Sequence, residues 1–276
     1  MSHTTVTSVP VSFDDAGRGE PALVYLTGWC STRTSYTPMV QHTARHRRSI
    51  AIDWRGHGTS PPPGGDFGWP QMADDVLAVL ASCGVGRFVP VANAHAGWVA
   101  RDLAERVPGR VAGVLLLNWL VLGAPPPFAA GLAALADPAT TRQAADHLTA
   151  SWLAGHEDVP GLAGQIAAMR RQDDQMWARA GREIGAAYAA CPSPLQAFAA
   201  LPAPPPVRHL YAEPNDPAFL AAQQDFARTH PWFTVRRLDT ARTHFPMLEQ
   251  PADLAADVTR FAGSLAAKPS QPAQHA

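Results

Sequence analysis

The sequence contains no apolar stretch long enough to cross a membrane. Its longest apolar runs, residues 111–117 and 120–124, fall far short of the roughly 20 residues that a spanning helix needs. The N-terminal residues Met1-Ser2-His3-Thr4-Thr5 also lack the cationic start and apolar core of a secretory signal. We therefore expect a cytoplasmic protein with no membrane partner.

An excess of charge of one sign is missing as well. The chain carries 22 basic and 23 acidic residues, which gives a net charge of −1, and it has neither a basic patch nor an acidic tail. This balance argues against nucleic acid as a partner. The three cysteines, Cys30, Cys83 and Cys191, are odd in number and widely spaced, which predicts free thiols in a reducing compartment and no metal site.

The third thing that is missing is a nucleophile. A strand-like run, residues 87–92, leads through a sharp turn into a helical run that ends at Pro108-Gly109. Strand, turn and helix are the setting of the G-x-S-x-G nucleophile elbow, but here the motif reads Ala92-Asn93-Ala94-His95-Ala96. A methyl group cannot attack an ester, so Ala94 excludes serine acyl chemistry.

The rest of the chain of 276 residues alternates between strand-like and helical patterns. This alternation predicts an α/β fold with a mostly parallel, doubly wound sheet. Between residues 125 and 206 the pattern changes to Ala-rich helices without strands, near 140–153, 162–170, 175–188 and 195–201. We expect an α/β core (residues 1–124 and 207–267), a helical cap (125–206) and a disordered tail (268–276). At the N-terminus we expect a strand at 6–11 followed by a turn at 14–19.

His244 is the strongest candidate for a catalytic base. It lies between the last predicted strand and the last predicted helix, where this order of elements places the histidine. A histidine base needs a partner on its second nitrogen. Asn118, after one core strand, offers an amide oxygen without charge, whereas Asp216, after the next strand and with Glu213 behind it, offers a carboxylate. The alternative for Asp216 is a helix cap.

The elbow can still serve a purpose without a serine. Its turn directs the backbone N–H of His95 toward the pocket, opposite an N–H from the region of Trp29, and such donors stabilise an oxyanion or a small oxygen species. The side chains of Asn93 and His95 either line this pocket or pack behind it.

Several motifs in this chain resemble one family, the cofactor-free 2,4-dioxygenases that open 3-hydroxy-4(1H)-quinolones. The resemblance extends from about residue 24 to residue 261. The matching segments are Gly28-Trp29-Cys30, Asp53-Trp54-Arg55-Gly56-His57-Gly58, Asp66-Phe67-Gly68, His95-x-Gly97-Trp98, Trp152-Leu153-x-Gly155-His156, His230-Pro231-Trp232-Phe233 and Thr243-His244-Phe245-Pro246.

The resemblance implies an α/β-hydrolase fold. It also implies that the protein is an oxidoreductase of quinolone degradation that uses neither a metal nor a flavin. A base at His244 would remove the 3-hydroxyl proton of a small heteroaromatic substrate. The anion would then react with dioxygen, and the ring would open with loss of carbon monoxide. Trp29 and Trp152 would shape a flat pocket. For the assembly we expect a monomer or a weak homo-oligomer.

The sequence departs from the family pattern at four positions. The family has Ser at the position of Ala94, Asp at that of Asn118, and His at those of Ser31 and Asn93. Replacement of the Asp weakens the base, because one pKa unit of imidazole basicity corresponds to about 1.4 kcal/mol. Two alternatives therefore stay open: a non-oxidative reaction begun by proton abstraction (a lyase, ring opening or rearrangement), and a ligand-binding protein without catalysis.

Overall fold

The computed structural model describes residues 11–266 of the chain. Seven strands form one sheet in the order β1-β3-β2-β4-β5-β6-β7. Strand β1 runs antiparallel to β3, and all the other neighbouring pairs are parallel. The strands are β1 Phe13–Ala16, β2 Ala22–Leu26, β3 Ser49–Ile52, β4 Phe88–Asn93, β5 Val114–Leu117, β6 Val207–Tyr211 and β7 Phe233–Arg237.

Eleven α-helices lie in the described part of the chain, and a 3₁₀ turn, Arg33–Tyr36, precedes the first of them. Five helices follow one another between β5 and β6, and we call them the cap helices: α4 Pro126–Ala136, α5 Thr141–Leu153, α6 Leu162–Arg170, α7 Asp174–Ala190 and α8 Pro194–Ala199. The others are α1 Thr37–Thr43, α2 Trp69–Ser82, α3 Ala96–Arg106, α9 Pro217–Thr229, α10 Pro246–Glu249 and α11 Pro251–Ala266.

The predicted fold class is confirmed. The central strands β2, β4 and β5 are buried along their whole length, as expected for parallel strands covered on both faces. The four helices predicted between residues 125 and 206 agree with α5, α6, α7 and α8 within one or two residues, and the helix at 162–170 has the predicted bounds. Among residues 11–266, no helix combines the length and the apolar character that a bilayer crossing requires.

The N-terminal prediction was wrong where the structure tests it. The segment predicted as a turn contains β1, in which Asp14, Asp15 and Ala16 pair with β3. The two aspartates are exposed in this edge strand, so the alternation of apolar and polar residues that a half-buried strand shows is absent. Residues 6–10 of the predicted strand and the predicted tail at 268–276 lie outside the described residues.

The parallel strands all end at one edge of the sheet, and backbone strain is concentrated there. The non-glycine residues with positive φ in residues 11–266 are Cys30 (61°), Ala94 (49°) and Asn118 (43°), and they follow β2, β4 and β5. Left-handed backbone outside glycine costs free energy and is common at functional sites. This edge is also where open α/β sheets bind their ligands.

Candidate active site

The turn after β4 has the geometry of a nucleophile elbow but carries a methyl group. The Ala94 N–H donates to the Leu117 carbonyl oxygen at 2.8 Å, which ties the turn to β5. Gly97, in the first turn of α3, allows the helix to pack closely: a Cβ there would lie 2.2 Å from Cε3 of Trp119. The backbone therefore keeps the elbow, and the residue at its tip provides no hydroxyl.

Two backbone amides near the elbow are free to bind an oxygen atom. Within residues 11–266, neither the Trp29 N–H nor the His95 N–H has a hydrogen-bond partner. Both residues line the same cavity. Unpaired N–H donors beside a cavity can stabilise negative charge on oxygen, and this is the role that the sequence analysis predicts for the pair.

His244 lies in the loop between β7 and α10 and faces the same cavity. Its ring stacks on Trp152 of cap helix α5, with 4.7 Å between ring centroids and 6° between ring planes. The ring of Phe245 packs edge-to-face against the His244 imidazole, with 5.3 Å between the ring centroids. Burial lowers the pKa of His244 to about 4, so the imidazole is neutral at pH 7 and can accept a proton.

The loop that carries His244 is fixed on both sides. The carboxylate of Glu249 accepts hydrogen bonds from the Arg242 N–H at 2.8 Å, the Thr243 N–H at 3.1 Å and the Thr243 hydroxyl at 3.2 Å. Asn118 donates its Nδ2–H to the Thr243 carbonyl oxygen at 3.1 Å. The N–H and the carbonyl oxygen of Thr243, the residue before His244, are therefore both hydrogen-bonded. These bonds restrict the position of the imidazole.

The structure does not bring Asp216 to His244. The Asp216 carboxylate caps α9 by accepting a hydrogen bond from the Ala218 N–H at 2.8 Å, and the residue is exposed. Asn118 is not a hydrogen-bond partner of the imidazole either, because its Oδ1 accepts from the Ala212 N–H at 2.6 Å. Instead, Oε2 of Glu213 lies 3.8 Å from Nδ1 of His244.

A cavity of about 790 Å³ separates the sheet edge from the cap helices. This volume is in the range of small-molecule sites. The core side of the cavity includes the predicted residues Trp29, Ser31, Asn93, Ala94, His95 and His244. The cap side is mostly apolar and is lined by Phe128, Leu132, Leu135, Ala144, Leu148, Trp152, Met169, Trp177, Ala180 and Ile184.

The polar side chains predicted for the pocket have defined partners. Asn93 donates its Nδ2–H to the Leu117 carbonyl oxygen at 3.3 Å, and Ser31 accepts a 2.7 Å hydrogen bond from Gln165 of α6. His95 stacks on Phe128 of α4, with its ring centroid at 5.8 Å, and burial lowers its pKa to about 3. His95 therefore contributes a neutral ring and a free amide rather than a charge.

Several residues of the cavity were not predicted from the sequence. Helix α4 was missed because Pro125-Pro126-Pro127 reads as a loop, although proline is well tolerated in the first turn of a helix. The signal was the spacing of Phe128, Leu132 and Leu135, which places three apolar side chains on one helical face. Trp177 of α7 is buried and also lines the cavity.

No group of three or more His, Cys, Asp or Glu side chains in residues 11–266 is arranged to share a metal ion. The chemistry that the described residues offer is a neutral imidazole, two unpaired amides and a mostly apolar cavity.

Residues 23–258 match the α/β hydrolase family, so the fold and the elbow belong to that class. The chain is 38% identical over 255 residues to the 2-heptyl-3-hydroxy-4(1H)-quinolone dioxygenase of Mycobacteroides abscessus, covering 92% of this chain and 94% of the relative. It is 30% identical over 263 residues to the 1H-3-hydroxy-4-oxoquinoline 2,4-dioxygenase of Pseudomonas putida, covering 95% and 99%.

A solved structure supports the same assignment. The structure is that of an AqdC variant in complex with its substrate, and it concerns the recognition and ring cleavage of the Pseudomonas quinolone signal. It superimposes on this chain with a TM-score of 0.87 at 35% sequence identity, covering 92% of this chain and 96% of the AqdC chain. Within the α/β hydrolase class, the chain therefore belongs to the 3-hydroxy-4-quinolone 2,4-dioxygenases, which are cofactor-independent ring-cleaving oxidoreductases. The two alternative functions are not favoured by these matches.

Proposed function

We propose that this protein opens the ring of a 2-alkyl-3-hydroxy-4(1H)-quinolone with dioxygen, and that His244 is the base that starts the reaction. The observation that supports this most directly is the placement of His244. A neutral imidazole stacks on Trp152 in a mostly apolar cavity, and the residue at the elbow is Ala94 instead of a nucleophile.

In the proposed reaction, Nε2 of His244 takes the proton of the 3-hydroxyl group. Glu213 lies on the side of Nδ1, which leaves Nε2 for the cavity. The N–H groups of Trp29 and His95 stabilise the negative charge on oxygen. The electron-rich anion reacts with dioxygen, the peroxide formed at C2 closes onto C4, and the ring opens. One hydroxyquinolone and one dioxygen give one N-acylanthranilate and one carbon monoxide.

The apolar wall of the cavity suits an alkyl group at C2 of the quinolone. Leu132 and Leu135 of α4, Ala144 and Leu148 of α5 and Ile184 of α7 form this wall. Each methylene that moves from water into such a chamber stabilises the complex by about 0.8 kcal/mol. The relative from M. abscessus is named for a 2-heptyl substrate, and we propose a chain of similar length here.

We also propose that residues 125–206 act as a cap, because the cavity lies between them and the sheet edge. The three cysteines are free thiols, which supports the proposed cytoplasmic location. For the assembly we propose a monomer or a weak homo-oligomer.

The test is turnover of 2-heptyl-3-hydroxy-4(1H)-quinolone with oxygen uptake and carbon monoxide release measured together. We expect one equivalent of each per substrate and no turnover under anaerobic conditions. His244→Ala should lower kcat by a factor on the order of 10² to 10⁴, which is the usual contribution of a positioned base. The His244→Ala variant should still bind the substrate, as measured by fluorescence, because the cavity walls are intact.

His46→Gln is the matched control, since His46 is exposed and does not line the cavity. It should leave kcat unchanged. Turnover that continues without oxygen, or an unchanged kcat in His244→Ala, would contradict the proposed function.

A further inference from the structure

The imidazole of His244 gains a positive charge when it acts as a base, and the residue at the family's usual acid position, Asn118, is neutral. Building on the proposed role of His244, we infer that the carboxylate of Glu213 is its acidic partner, and that Asn118 has become a tether between the loops that carry the two residues. In this arrangement Glu213 is a positioning residue that acts through His244.

The geometry places Glu213 where such a partner must be. Oε2 of Glu213 lies 3.8 Å from Nδ1 of His244. This distance is longer than a hydrogen bond but within that of an ion pair. Hydrogen bonds of catalytic groups are often long in the free enzyme and shorten in the complex. Within the described residues the Glu213 carboxylate has no hydrogen-bond partner, so its side chain is free to approach the imidazole.

The other nearby carboxylates are already occupied. Asp216 caps α9. Glu249 accepts hydrogen bonds from the loop of His244, and Asp158 pairs with Arg242 at 2.9 Å. Of the carboxylates in residues 11–266, Glu213 alone has an oxygen atom within 4.0 Å of a ring nitrogen of His244.

Asn118 joins the two loops through both the oxygen and the nitrogen of its side-chain amide. Its Oδ1 accepts hydrogen bonds from the N–H groups of Ala212 at 2.6 Å and Glu213 at 3.4 Å. Its Nδ2–H donates to the carbonyl oxygen of Thr243 at 3.1 Å. An aspartate at this position has no N–H and would face the Thr243 carbonyl with a second acceptor. The asparagine therefore fixes the distance between Glu213 and His244.

Three groups determine the electrostatic environment of Glu213. Burial raises the pKa of its carboxyl group, the charge of His156 lowers this pKa, and Glu249 raises it. The third group is His244 itself. A partly desolvated carboxylate with a like charge nearby gains stability when a neighbouring imidazole becomes positive. The charge on the imidazolium and the charge on Glu213 therefore stabilise each other.

The proton balance determines which tautomer of His244 the reaction needs. When Nε2 of His244 takes the substrate proton, the O–H bond breaks and an N–H bond forms. The product leaves as a carboxylate, so each turnover releases one proton. That proton leaves from Nε2, so the ring keeps its Nδ1–H on the side of Glu213 and begins the next turnover in the same tautomer.

The experiment compares Glu213→Gln, Glu213→Asp and Asp216→Asn by the pH dependence of kcat/KM. For Glu213→Gln we expect a loss of about 10- to 100-fold, the size typical of a group that orients another ligand or base. The acid limb of the profile should move to lower pH, since the imidazolium loses its counter-charge. The loss should be smaller for hydroxyquinolones with a more acidic 3-hydroxyl, and Glu213→Asp should recover part of the activity.

Glu157→Gln is the control, because Glu157 is exposed in the loop after α5 and lies outside the cavity. A large loss in Asp216→Asn with a wild-type pH profile in Glu213→Gln would overturn the inference and favour Asp216. If Glu213→Gln behaves as wild type while His244→Ala is inactive, the inference fails and the proposed function stands. If the wild type neither takes up oxygen nor releases carbon monoxide, the proposed function itself fails.

Discussion

Ala94 shows how a site can keep a geometry after losing the side chain that the geometry usually serves. Its φ of 49° is strained for alanine, and a glycine would adopt it at lower cost. The turn is nevertheless retained, together with the hydrogen bond from Ala94 N–H to Leu117. The structure therefore preserves the position of the His95 amide and the contact of the Ala94 methyl group with the cavity.

Ala94→Ser should increase kcat/KM toward the hydroxyquinolone. The new hydroxyl group would lie at the tip of the elbow, on the cavity wall, and could donate a hydrogen bond to a substrate oxygen. One such bond contributes about 0.5–1.5 kcal/mol, which corresponds to an increase of about 2- to 10-fold. Steady-state kinetics on the two proteins measures this change.

Ala94→Gly separates the hydroxyl effect from relief of backbone strain. Glycine accepts the positive φ but adds no donor, so we expect kcat/KM near the parent value and a higher melting temperature. A decrease in activity for Ala94→Ser would mean that the substrate requires the methyl group at this position.

At the scale of elements, the wall formed by α4, α5 and α7 should determine which substrates fit. Ala144→Phe on α5 would fill part of the apolar chamber. Displacing two methylenes of an alkyl chain costs about 1.6 kcal/mol, or about 10-fold in affinity. We expect KM for the 2-heptyl substrate to rise by at least about that factor and KM for unsubstituted 3-hydroxy-4-quinolone to change little.

Ala150→Phe is the matched substitution on the same helix, because Ala150 is exposed and does not line the cavity. It should leave both KM values unchanged. Equal effects of Ala144→Phe on the two substrates would show that the alkyl group lies elsewhere.

The elements differ in how much of them the sequence could predict. The core strands and α9 were predictable because an apolar run or an amphipathic helix carries its own periodicity. Strand β1 was not, because its exposed residues Asp14 and Asp15 are held by pairing with β3 rather than by burial. Helix α4 was not, because its proline-rich start resembles a loop.

The site shows the same limit. The loop that carries His244 was predictable from the order of elements, which fixes where that loop lies on the sheet. The choice between Asp216 and Glu213 was not predictable, since both lie within five residues after β6. The outcome depends on which carboxylate caps α9. Asp216 does so, because its Oδ1 accepts a hydrogen bond from the Ala218 N–H. The pattern of apolar and polar residues does not show which of two nearby carboxylates will bind a backbone N–H group.

At the scale of the whole molecule, burial keeps four imidazoles neutral. It lowers the pKa of His57, His209 and His244 to about 4 and that of His95 to about 3. In the unfolded chain a histidine titrates near pH 6.5. Between pH 6.5 and about 4 the unfolded state therefore binds more protons than the folded state. Stability is full above pH 6.5 and is lost as the pH falls through this window.

His209 isolates one of these contributions, because it lies outside the cavity. Its Nδ1 is 2.6 Å from Oε1 of Gln223, and its Nε2 accepts the N–H of Trp119 at 3.4 Å. One proton bound only by the unfolded state adds a slope of up to about 1.4 kcal/mol per pH unit. We expect His209→Gln to be less stable at pH 8 but to lose less stability per pH unit between pH 6.5 and 4.

Urea denaturation at closely spaced pH values measures this slope. His46→Gln is the reference, since the exposed His46 ring contacts solvent in both states and its loss should leave the slope unchanged. If His209→Gln and the wild type lose stability in parallel, His209 binds a proton equally in both states. The acid sensitivity would then have to come from His57, His95 and His244. Because His95 and His244 line the cavity, a ligand that fills it should then alter the slope.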